Sequence, residues 1–183
     1  MSEEMIIRNC SPTLAGIKTA SMFSCSFTDK SEMVKALCSF NRLLGKKGIR
    51  AVPLRYRNGK ALIYIYRPSK LGFDLKDDTA NRLLSERGYD VSSPQKCIVE
   101  LVKRLSKKED FPHEIGLFLG YPPLDVVGFI ENRKDELKCT GYFKVYSDKV
   151  KAEKLFTQYK KCTDVYSALM KKGRSIDRLT VAS

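Results

Sequence analysis

The chain has 183 residues, 43% of them hydrophobic and 30% charged, with a net charge of +13 at pH 7. That supplies enough apolar side chain to bury a core without disulfides or metal. No apolar run reaches the roughly 18 residues a membrane span needs, and MSEEMIIRNCSPTL lacks the basic-then-apolar pattern of a secretory signal, so a cytoplasmic protein with no membrane partner is expected.

Ser11-Pro12-Thr13 reads as a helix start, with Ser11 as N-cap and Pro12 in the first helical position. An extended piece follows near 20–27. SEMVKALCSFNRLLGKKG predicts a helix with Val34, Leu37, Cys38 and Leu44 on its apolar face, Ser31 as cap and Gly45 as terminator.

In RAVPLRYRNGKALIYIYRP, Asn58-Gly59 is the preferred two-residue hairpin turn, because both central positions need positive φ. Closing the turn pairs Tyr56 with Ala61, Leu54 with Ile63 and Val52 with Ile65 on one apolar face. The other face then mixes Arg55, Arg57, Lys60, Leu62, Tyr64 and Tyr66.

Asp77–Arg87 predicts a short helix with Ala80, Leu83 and Leu84 inward, ended by Gly88. Ser93-Pro94 starts another, with Cys97, Ile98, Leu101, Val102 and Leu105 on one stripe. Pro112 to Leu119 forms a short helix that Gly120 ends, and Pro122-Pro123 restarts the chain into LDVVGFIENRKDEL. TGYFKVY reads as a strand. Ser147-Asp148 then caps a long helix to Met170, stopped by Gly173, whose stripe runs from Leu155 and Phe156 through Tyr159, Cys162 and Tyr166 to Leu169. Together these predict an α+β fold: a small, mainly antiparallel sheet including a hairpin over 50–67, packed with about six helices. One globular domain is expected over 1–173, with 174–183 a frayed tail.

The charge is unevenly spread. Residues 46–76 carry nine lysines and arginines against Asp74 alone, whereas 109–137 carry two against seven acids. A basic excess favours anionic partners, nucleic acid among them. On the hairpin, Tyr64 and Tyr66 could stack on bases while Arg55, Arg57 and Lys60 meet phosphates. The alternative is that helices cover this face, and Leu62 between the tyrosines favours that.

The histidine His113, the single one in the chain, sits beside Glu114 in the acidic segment. Just inside a helix start it would stay neutral, able to act as a base. A metal would need ligands the spacing does not supply, so no metal site is expected. Cys10, next to the proposed cap, could lie near free N–H groups that favour a thiolate. A Cys10–His113 pair would then be a nucleophile and its base, and a boundary cysteine without reactivity is the plainer alternative. The six cysteines, at 10, 25, 38, 97, 139 and 162, form no CxxC pair, which argues against a zinc ribbon. No phosphate loop, dinucleotide fingerprint, HExxH or GxSxG occurs, so no cofactor is named by a motif. The glycines of GLFLG and VVGFI suit close packing better than phosphate binding.

Three segments carry a resemblance: CSPTLAGIKTASMFS, HEIGLFLGYPPLDVVGFIEN and CTGYFKVYSDKVKAEKLFTQYKKC. They resemble the domain of unknown function 3793 family, small cytosolic proteins of anaerobic Gram-positive bacteria. The resemblance implies a stand-alone cytosolic domain and brings no activity, cofactor or functional residue with it.

The resulting expectation is a binding domain whose pocket is lined by Cys10, Thr13, Lys18, His113, Tyr121 and Tyr142. Its ligand would be small and anionic or aromatic. Nucleic-acid binding through the hairpin, a thiol enzyme using Cys10 and His113, and a pure interaction module are the alternatives.

Overall fold

Asn58 (φ 48°) and Gly59 (φ 67°) both take positive φ, the conformation that a tight hairpin turn demands. They join β2 (Arg50–Arg57) to β3 (Lys60–Tyr66). The computed structural model describes residues 1–107 and 111–182. Glu109 and Asp110, which open the acidic segment, and Ser183, which ends the expected tail, lie outside the described residues.

Near the turn the register is the predicted one, with Tyr56 facing Ala61. Beyond it the ladder shifts by a residue: Arg55 pairs with Leu62 and Pro53 with Ile63, so Val52 faces Tyr64 and Ala51 faces Ile65. The predicted pairs Leu54–Ile63 and Val52–Ile65 are thereby displaced. Pro53 has no N–H to give a ladder and is accommodated at edges and bulges. β2 is such an edge, since the sheet order is β1-β3-β2 with β1 at Ala20–Ser26. The side chain of Asn41 covers part of that edge, donating to the Ala51 carbonyl (2.8 Å) and accepting from the Ala51 N–H (2.7 Å).

The chain divides into two compact units, one of Met1–Ser69 with Lys161–Ser183 and one of Lys70–Lys160. In the first, α1 (Glu3–Leu14) and α2 (Lys30–Leu44) pack on the sheet. Their core joins Ile6, Ile7, Cys10 and Leu14 to Leu37, Phe40 and Leu44 and to Phe23, Ile63 and Ile65 of the strands. The expected helix start at Ser11 is corrected: the N-cap is Ser2, whose hydroxyl accepts the Met5 N–H, and Pro12 lies inside α1. Ile6, Ile7, Cys10 and Leu14 give that helix one buried stripe, and burying it outweighs the proline's lost hydrogen bond. On α2 the cap is Asp29, and the buried face is Met33, Leu37, Phe40 and Leu44. Val34 and Cys38, predicted inward, are exposed.

Three further elements follow the predictions closely, α4 (Asp78–Glu86), α5 (Pro94–Lys107) and α8 (Lys149–Lys171), whereas α7 (Pro123–Ile130) ends seven residues short of the expected LDVVGFIENRKDEL. Gly88 and Gly173 end α4 and α8 with positive φ, as terminators do. α3 (Pro68–Asp74) and α6 (Ile115–Phe118) are short. TGYFKVY is a small hairpin of β4 (Cys139–Thr140) and β5 (Lys144–Val145) in place of one strand. The tail is also ordered: α9 (Ile176–Leu179) buries Ile176, Leu179 and Thr180, and the Val181 N–H reaches the Leu14 carbonyl. The fold of the described residues is thus α+β, with nine α-helices and two small antiparallel sheets. No described helix is long and apolar enough to cross a membrane.

Candidate functional site

The second unit contains an apolar cavity of about 440 Å³, within the usual size range of small-molecule sites. Its walls come from one stretch of chain folded on itself. Phe111, Pro112 and His113 lead into α6, which supplies Ile115 and Gly116. Tyr121 follows the α6–α7 turn, Asp125, Val126 and Phe129 come from α7, and Phe143 and Lys144 from the β4–β5 hairpin.

Local sequence sets this geometry. Gly120 (φ 72°) ends α6, and the Tyr121 N–H returns to the Gly116 carbonyl. Pro123 then occupies the first turn of α7, where its missing N–H costs nothing. Gly116 lets Val126 and Tyr121 approach: a Cβ there would stand 2.8 Å from a Val126 methyl. The Tyr121 and Phe143 rings lie 4.6 Å apart, and the His113 ring meets Phe129 edge-on at 5.0 Å. Lys144 Nζ stands 5.1 Å from the Phe129 ring centroid, a cation–π contact. Burial pushes the Tyr121 phenol up from its ordinary pKa.

Asp125 is the acidic group of the wall and is buried. Its Oδ1 accepts two backbone hydrogen bonds, from the Tyr146 and Ser147 N–H groups, both at 2.7 Å. Its Oδ2 is buried and accepts none. Glu114, beside His113 in the acidic segment, is a buried hub. It accepts the Tyr89 hydroxyl (2.9 Å) and pairs with Arg87 (3.4 Å) and Arg104 (3.7 Å). That network holds the residue next to His113, while His113 itself is exposed at the cavity mouth.

Residues 6–180 match the family described as "Protein of unknown function (DUF3793)". The chain belongs to that family. No curated protein and no solved structure matches it.

The DUF3793 chain brings together two of the six residues expected to share a pocket, His113 and Tyr121, both in the cavity wall. Tyr142 lines a more open hollow with Gly141, Phe156, Thr157 and Lys160. Cys10, Thr13 and Lys18 belong to the first unit, where all three are buried. There Thr13 Oγ1 lies 2.9 Å from Ser21 Oγ. Burial pushes the Cys10 thiol up to about 12, against the smaller opposing pulls of Lys18 and Ser21. The expected helix-start activation of Cys10 is corrected on both counts: the residue lies within α1, and it is fully buried. Burial likewise lowers Lys18 to about 8.

Of the hairpin residues expected to meet nucleic acid, Arg57 and Lys60 are exposed and Arg55 is half-buried. Tyr64 and Tyr66 are buried and stacked on one another at 4.9 Å, so neither ring is presented to a base. All six cysteines are free, and the described residues contain no cluster of three metal-ligating side chains. Sequence reasoning missed Phe111, Asp125, Phe129, Phe143 and Lys144 in the cavity. One signal was available for Asp125: a lone acid in the apolar run PPLDVVGFI.

Proposed function

We propose that the protein binds a small, predominantly aromatic molecule in the cavity of the second unit. The observation that carries this reading is the make-up of the wall: Phe111, Tyr121, Phe129 and Phe143 present ring surface around a hollow of about 440 Å³. Phe111 and Phe129 keep more than a third of their surface exposed (38% and 37%). Side chains of that kind in a concave site gain free energy when a ligand covers them. Of the two ligand classes expected from sequence, the aromatic one fits better. An anionic group would find the lysine Lys144 on the wall but would also face the carboxylate of Asp125.

The test is saturation-transfer NMR with two bicyclic aryl probes, indole and benzofuran. Saturation is expected to pass from protein to probe, and to be lost when Ile115→Trp fills the cavity in a variant that still melts cooperatively. Absence of transfer to both probes would overturn the reading.

A further inference from the structure

We infer that the aromatic molecule this cavity takes carries a carboxylate on its outer edge, set against the Lys144 ammonium at the mouth. The inference rests on the cavity reading above and adds one charge to its ligand. Lys144 is exposed although the residues on either side, Phe143 and Val145, are buried, and it lines the hollow. Its Nζ stands 5.1 Å from the centroid of the Phe129 ring and makes no ion pair among the described residues. A cation held on a ring at the rim of an apolar hollow, with no carboxylate of the described chain to neutralise it, attracts a ligand's anion.

Burial separates the charges of the wall. Asp125 is 2% exposed, its Oδ1 accepts the Tyr146 and Ser147 N–H groups, and its Oδ2 is shut off from solvent. Lys144 and His113 are exposed. An acid carried deep into the hollow would lose its hydration and move toward Asp125, and both effects oppose it. An acid at the mouth keeps part of its hydration and lies beside Lys144, while the ring that bears it covers Tyr121, Phe129 and Phe143. His113 meets the Phe129 ring edge-on at 5.0 Å, so an imidazole N–H is available at the same rim. One lysine matches one negative charge, which favours a carboxylate over a phosphate dianion. The ligand class is therefore an aryl or arylalkyl carboxylic acid.

Indole-3-acetate and indole-3-acetamide test this directly, because they share one shape and differ by the charge. Their dissociation constants are to be measured on the full chain by amide-shift titration at neutral pH. Wild type is expected to prefer the acid by about fivefold at low salt, the upper scale of a solvent-facing ion pair, and to lose most of that preference at about 1 M salt. In Lys144→Met the preference should fall to parity, and Lys144→Gln serves in its place if that variant does not fold. Lys151→Met removes an exposed lysine from α8 in the same unit and should leave the preference intact. Equal affinities in wild type, or binding of indole alone, would overturn the acid inference and leave the cavity reading standing. A preference that survives in Lys144→Met, or that Lys151→Met abolishes as well, would overturn it too, since the net charge of +13 would then explain it. Binding of neither the pair nor indole would remove both.

Discussion

The Cα of Gly128 lies directly against the ring of Tyr146: a Cβ built there would stand 2.6 Å from the ring's Cγ and 2.9 Å from its Cβ. Tyr146 is also the residue whose N–H holds Asp125. The glycine of VVGFI therefore sets how closely the β4–β5 hairpin sits on α7, and with it the position of the buried carboxylate. Gly128→Ala is expected to destabilise the protein by about 1–3 kcal/mol, the usual cost of overpacking, despite alanine's better helix propensity. Thermal unfolding measures this. An unchanged or raised midpoint would mean the contact relaxes freely.

Glu114 gives a second prediction. Its carboxylate is 2% exposed and faces Tyr89, Arg87 and Arg104, with the Arg104 guanidinium also 4.3 Å from the Tyr89 ring centroid. The two guanidinium groups are part-exposed, so removing the buried carboxylate costs about 1–3 kcal/mol, chiefly through the Tyr89 hydroxyl left without its acceptor. Glu114→Gln keeps the shape and one acceptor, so about half of that loss is expected in urea unfolding, while Glu114→Ala should show all of it. A neutral result for both variants would show that the Glu114 contacts add nothing to stability.

What the sequence revealed, and what it hid, divides along the range of the forces. Asn58-Gly59, Gly88, Gly120, Pro123 and Gly173 act within a few residues, and each did in the fold what its conformational preference dictates. The bulge at Leu54 was hidden because turn closure propagates register only until a residue such as Pro53 refuses a ladder bond. α1 was misread because Ser11-Pro12 has the signature of a helix start, whereas the buried stripe from Ile6 to Leu14 decides the matter through tertiary packing. His113 and Tyr121 could be flagged as unusual residues in an unusual motif. Phe129 and Phe143 could not, since an apolar residue looks the same whether it faces a core or a hollow.

Arg67 closes the first unit around the end of α1. It is 1% exposed and donates from Nε to the Thr13 carbonyl (2.7 Å) and from Nη2 to the carbonyls of Leu14 (2.8 Å) and Val181 (2.7 Å). It thus satisfies carbonyls at the end of α1 and ties the C-terminal segment to it. Arg67→Met is expected to cost about 2–4 kcal/mol through the loss of three hydrogen bonds from a charged donor. Arg67→Lys should recover only part, because an ammonium cannot reproduce the planar fork. Hydrogen exchange at the Val181 amide, which bonds to Leu14, should quicken in both variants. Protection unchanged from wild type would refute the tie.

Lys18 makes stability depend on pH in a direction opposite to that of most paired groups. Burial lowers it from 10.5 to about 8, while Cys10, its neighbour, is raised from 9.0 to about 12 by the same cause. Between pH 8 and 10.5 the unfolded chain therefore binds more protons at this lysine than the folded one, so its contribution to stability rises with pH. For Cys10 the order is reversed: above pH 9 the unfolded thiol sheds a proton that the folded one keeps, and stability falls toward pH 12. Raising pH from 8 to 9 should add about 1 kcal/mol through Lys18. Urea unfolding of wild type and Lys18→Met across pH 7 to 11 isolates the two legs. The variant should lose the rise and keep the fall above pH 9, so the wild-type optimum, between about pH 9 and 10, shifts to lower pH. Parallel curves for the two proteins would mean that the Lys18 amine keeps its ordinary protonation in the folded chain.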